Sequence, residues 1–215
     1  MRPTFRIQCK QYIGRSRSVS TLPDNPHIFV FKHPQEPNKS LLTLLSSEPP
    51  APSLAIGTST SVPPTPENFT ENPQFQGILQ SVLHKYAIHD PDVKQEAAAF
   101  AGPGGANLGD NNRGNGQGTG PTSTQGGMGG ANRGGWIHVG DRRNPPDWGR
   151  IAWPEDIFGS LEVDGNGRFV GDGGNYQASG TYRIVTREGM LGLPPFLREK
   201  LVERLRELEQ QPGAN

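Results

Sequence analysis

Asp164-Gly-Asn-Gly167 sets a carboxylate, an amide and two glycines at the spacing found in the middle of a calcium loop, where oxygens alternate around a hard cation. With Glu162 as the first loop position, Gly173 falls where the closing bidentate glutamate of such a twelve-residue loop belongs. No helical pattern flanks the loop, so the competing reading is a plain hairpin turn. The histidines, His27, His33, His84, His89 and His138, are not spaced as ligands of one site. His84 and His89 would point about 140° apart on a helix. No G-x-S-x-G, H-E-x-x-H or G-x-x-x-x-G-K-[ST] sequence occurs, and the Gly-x-Gly pairs present lack a preceding strand and following helix. The single cysteine, Cys9, lies in a segment that reads as cleaved, which would leave the mature chain no thiol. No catalytic, cofactor-binding or metal-binding residue is nominated, and no cofactor is expected.

The densest mixture of charged and aromatic residues is Asp141, Arg142, Arg143, Asp147, Arg150, Glu155 and Asp156, interleaved with Trp148 and Trp153. Trp and Arg supply large contact area and directed hydrogen bonds, so this mixture fits a protein interface. Trp148, Arg150, Trp153, Glu155 and Asp156 are its candidate contact residues. The other reading is a folded loop layer whose tryptophans cover a sheet and whose ion pairs are internal. Both stay open on sequence alone.

The elements that must position this stretch are those of a small α+β module over 136–210. Trp136 to Val139 and Ile157 to Val163 read as strands, and Asp164 to Gly167 reads as a hairpin turn into Arg168 to Val170. A further strand is expected over Gly180 to Thr186, which makes an antiparallel β meander. Pro194-Pro195 opens a C-terminal helix whose Leu197, Leu201, Leu205 and Leu208 form one stripe. That stripe is expected to face the meander. Residues 211–215 read as a disordered tail.

Upstream, 23–101 reads as a strand, a proline-rich strap and two helices. His27 to Phe31 is the strand, expected at a sheet edge, and Ser40 to Ser47 reads as one or two helical turns. From Glu48 to Pro73 the proline content predicts an extended strap over a surface. Phe75, Ile78, Leu79, Val82, Leu83 and Tyr86 define one face of a helix. Asp90-Pro91 supplies the N-cap and first-turn proline of a second helix that runs to Ala101. Between the two parts, residues 102–135 hold 14 of the 29 glycines and read as a disordered linker. One Arg-Gly-Gly unit at 133–135 resembles a fragment of an RNA-binding segment.

With 29 Gly, 21 Pro and 32% hydrophobic residues, the chain can bury one small core, and it has no apolar run long enough for a membrane-spanning helix. Net charge is zero, but residues 1–22 carry Arg2, Arg6, Lys10, Arg15 and Arg17 and no acid. That composition reads as a mitochondrial transit peptide, the alternative being a basic arm. The remainder is acidic, which argues against a general binder of phosphate backbones.

The segments GWIHVGDRRNPPDWGRIAWPEDIFGSLEVDGNGRFVG, YQASGTYRIVTREGMLGLPPFLREKLVERL and SLAIGTSTSVPPTPENFTENPQF resemble an uncharacterised family of predicted mitochondrial proteins from filamentous fungi. The resemblance covers most of the chain outside the linker. It implies a mitochondrial address and no activity or site; the compartment expected within the mitochondrion is the matrix. The expected function is a noncatalytic mitochondrial accessory or assembly protein that acts through protein partners. An RNA-associated or mitoribosome-associated factor is the alternative, and an enzyme of unrecognised type the third reading.

Overall fold

A computed structural model describes residues 20–101, 134–147 and 150–211. The expected transit peptide apart from its last three residues, all but the last two residues of the glycine-rich linker, all but the first residue of the tail, and Trp148 lie outside the described residues. The chain is α+β, with antiparallel sheets and three α-helices among the described residues. No described helix is long and apolar enough to cross a membrane.

The first sheet is a five-stranded antiparallel meander of β1 (Ser20–Thr21), β2 (Phe29–Lys32), β3 (Ser40–Thr43), β4 (Gly57–Ser59) and β5 (Phe69–Glu71), in that spatial order. Three expectations change here. The 27–31 strand is not at an edge, because β1 pairs with β2 through Thr21 opposite Phe29 and Ser20 opposite Val30. Ser40 to Ser47 is not helical: Leu41, Leu42, Leu44 and Leu45 are all buried, and β3 is sandwiched between β2 and β4. A short apolar run buried on both faces has no period to separate strand from helix. The proline-rich strap folds back on the protein, with a single 3-10 turn at Pro52–Leu54 and strands β4 and β5. Its prolines occupy the connections, while Leu54, Ala55 and Ile56 enter the core.

Helix α1 (Pro73–Tyr86) begins at Asn72, whose side chain caps the N–H of Gln74. Its expected apolar face is confirmed by the burial of Phe75, Leu79, Val82 and Leu83. Helix α2 (Pro91–Ala101) starts at Asp90, whose Oδ1 accepts from the N–H groups of Asp92 and Val93 at 2.9 and 3.3 Å. The second sheet holds β6 (Gly135–Gly140), β7 (Ile157–Val163) and β8 (Gln177–Ala178). Strands β9 (Val185–Thr186) and β10 (Gly189–Met190) form a separate hairpin, so little of the expected 180–186 strand is strand. Arg168 to Val170 joins its neighbour through one bridge, Val163 to Phe169.

Helix α3 (Pro195–Glu209) buries Leu197, Leu201 and Leu205. Its principal packing partners are α1 and the 52–54 turn rather than the second sheet. Described residues before position 102 and after position 133 therefore enter one core, which runs from Leu22 and Ile28 through Phe75 and Leu83 to Phe158, Leu161 and Leu205. Hydrogen bonds cross the same seam: Asn25 Nδ2 donates to the Leu191 carbonyl at 2.8 Å, and Tyr176 Oη donates to Gln80 Oε1 at 2.7 Å.

Candidate interface site

The segment between β6 and β7 has to return the chain to the sheet through Asn144-Pro-Pro and Trp153-Pro154, where prolines deny it ladder hydrogen bonds. Side chains supply what the backbone lacks. Arg143, 3% exposed at its side chain, donates from Nε to Asp156 Oδ1 at 2.6 Å. Its other nitrogens donate to three carbonyls: Ile184 at 2.9 Å, Glu155 at 2.8 Å and Arg183 at 2.7 Å. One guanidinium fork thus joins three chain segments, a geometry that a lysine cannot reproduce.

Asp141 completes the clip. Its Oδ1 accepts from the N–H groups of Arg143 and Gly192, both at 2.9 Å, and its Oδ2 accepts from Tyr182 Oη at 3.0 Å. Main-chain bonds run alongside, from Asp141 N to the Asp156 carbonyl at 2.7 Å and from Arg142 N to the Gly192 carbonyl at 2.8 Å. Gly192 is required by this approach, since a Cβ there would stand 2.7 Å from both Arg143 N and Asp141 Oδ1. The guanidinium also lies over the Tyr182 ring, 5.4 Å from its centroid.

Two buried carboxylates share one buried cation. Burial pushes the Asp141 carboxyl above the usual aspartate range, opposed by Arg143 and the three hydrogen bonds. Burial, reinforced by the Asp141 charge, holds the Tyr182 phenol well above its ordinary value of 10.0. Asp156 Oδ2 is buried and has no hydrogen-bond partner among the described residues. An arrangement this closed holds a loop in place and does not present a reactive group to solvent.

The candidate contact residues divide on this clip. Asp156 is 1% exposed and faces inward to Arg143, whereas Trp153 is 69% exposed and Ile151, two residues before it, is also exposed. Arg150 and Glu155 are exposed as well. Glu155 contributes its carbonyl to the clip while its carboxylate lies outside. The turn under Trp153 is bonded throughout: the Trp153 carbonyl accepts from Asp156 N at 2.8 Å, and the Pro154 carbonyl from Thr181 Oγ1 at 2.8 Å. Trp153, Glu155, Thr181, Tyr182, Arg183 and Glu71 line an open groove of about 570 Å³. Arg143, Asp141 and Tyr182 were not among the candidate contact residues. Asp141 and Arg143 belong to the internal-ion-pair reading of the stretch, whereas Tyr182 lies outside it and carried no such signal.

The calcium-like turn is a hairpin. Asp164 Oδ1 accepts from the N–H groups of Asn166 and Arg168, both at 2.8 Å, and these bonds hold its carboxyl below the ordinary range. Gly167, at φ +72°, closes the turn where a side chain would be strained. No group of three or more His, Cys, Asp or Glu side chains among the described residues is placed to hold a metal ion. The chain matches no protein-family model, no curated protein and no solved structure.

Proposed function

We propose that the chain is a noncatalytic accessory or assembly protein of mitochondria that works by holding a protein partner, with the surface around Trp153 as its contact. The observation that carries this reading is an indole 69% exposed to solvent on a turn whose backbone is tied into the core. A turn whose backbone is already fixed gives up little conformational freedom when the aromatic side chain it carries docks. Trp and Arg dominate the energetics of interfaces when a rim of charges surrounds them. Ile151 extends the apolar surface, and Arg150, Glu155 and Arg183 supply the rim. The mitochondrial address rests on the acid-free, Arg-bearing leader.

Tagged wild type and a Trp153→Ala, Arg150→Ala double variant, purified natively from mitochondria in parallel, test the reading. A stoichiometric protein partner is expected with wild type and should fall at least about tenfold with the double variant, as hot-spot truncation predicts. Equal recovery from both would place the contact elsewhere. Salt-sensitive recovery of RNA in place of a protein would favour the RNA-associated alternative.

A further inference from the structure

We infer that proteolytic maturation ends no later than the bond before Ser20, so that the mature chain keeps Ser20-Thr-Leu22 as its first strand and first core residue. The inference rests on the leader reading above. The sequence places the cut between Ser18 and Pro23, behind Arg15 and Arg17. The fold removes the later half of that window.

Leu22 is 4% exposed and belongs to the common core. Its N–H donates to the Ile28 carbonyl at 3.1 Å, and its own carbonyl accepts from Asn25 N at 3.3 Å. The turn so formed is anchored across the molecule by the 2.8 Å bond from Asn25 Nδ2 to the Leu191 carbonyl. A cut after Leu22 would delete a core side chain. A cut after Thr21 would turn the bonded Leu22 amide into a charged ammonium beside that core. A cut after Ser20 would remove the Ser20 to Val30 pair and the 3.2 Å bond from Ser20 Oγ to the Val30 carbonyl. It would also leave part of the outer edge of β2 unpaired, the kind of edge that invites aggregation. Cuts before Ser18, Val19 or Ser20 keep every one of these contacts.

Import of the full chain into isolated mitochondria, followed by N-terminal sequencing of the processed product, tests the boundary. The expected first residue is Ser18, Val19 or Ser20. A product that begins at Thr21 or later overturns the boundary and leaves the leader reading intact. A chain that enters and keeps Met1, or that stays outside, overturns the leader reading and the boundary with it. The structural part has its own measurement in purified chains spanning 20–215 and 23–215. The first should melt with the full chain and the second lower by about 5 °C or more, the shift expected for loss of a buried leucine in a chain of this size. Equal melting of the two shortened chains would show that Leu22 sets no limit on processing.

Discussion

Asp156 and Trp153 lie three residues apart in one turn of the chain, yet one is 1% and the other 69% exposed. The inner side of this turn is a closed polar clip, Arg143 with Asp141, Asp156 and Tyr182, and its outer side is an indole and an isoleucine in water. The difference shows that a dense mixture of charges and aromatics is not one kind of surface. Where prolines deprive a segment of backbone partners, its charged side chains are recruited inward to replace them. The aromatic side chain next to them is then held outward on a rigid support.

The sharpest way to break this comparison is Arg143→Ala. It would leave two buried carboxylates without a cation and take its donor from the Arg183 carbonyl, while the Ile184 and Glu155 carbonyls keep Leu191 N and Arg183 N, and it should cost about 3 to 5 kcal/mol in chemical denaturation. Arg143→Lys should recover little of it, because an ammonium cannot span the same acceptors. A loss below about 1 kcal/mol would mean that the clip does not support the turn. Gly192→Ala comes next, since its Cβ would press on Arg143 N and Asp141 Oδ1 at 2.7 Å. Overpacking of this kind costs about 1 to 3 kcal/mol, and the same unfolding curves would record it.

The helices were legible from the sequence and the small strands were not. Phe75 through Leu83 repeat at a helical period, and Asp90 precedes Pro91 as a cap should, so local chemistry alone placed α1 and α2. Leu41 to Leu45 carry no period because both faces of β3 are covered, and β4 and β5 are three residues each. Their pairing is set by neighbours distant in sequence. The destination of the α3 stripe also lay beyond local reading. Leu197, Leu201 and Leu205 announce a buried face, but nothing in their spacing says that α1 receives it. The same holds for the candidate site. Charge density marked the stretch from Asp141 to Asp156, while the choice between clip and contact depends on Tyr182, Ile184 and Gly192, which lie 41 to 51 positions from their partners Arg143 and Asp141.

Tyr182→Phe sharpens the inner half by pH. The folded phenol titrates well above 10.0 while the unfolded one titrates near it, so the folded state holds the proton more tightly. Its contribution is therefore complete below pH 10 and is lost as the pH rises through that value toward the folded one. Tyr182→Phe should cost about 1 kcal/mol at neutral pH, from the lost bond to Asp141. It should also lose less stability than wild type between pH 10 and 11. Tyr176, likewise pushed up by burial, keeps a residual slope in the variant. Parallel alkaline curves for the two proteins would show that the Tyr182 phenol is accessible.

The smallest effect on stability belongs to the outer half. Trp153 makes its structural contribution through its carbonyl, which accepts from Asp156 N at 2.8 Å, and a side-chain substitution leaves that bond in place. Trp153→Ala should therefore change unfolding free energy by no more than about 0.5 kcal/mol, as surface substitutions do. It should also lower the acrylamide-quenchable part of the fluorescence, because the ring is 69% exposed. A loss near that of Arg143→Ala would make the indole part of the clip. The exposed surface would then be a consequence of folding and not a contact. A neutral result on stability, combined with loss of the partner in native purification, would separate the two halves of the turn: Asp156 and Arg143 hold it, and Trp153 is what they hold out.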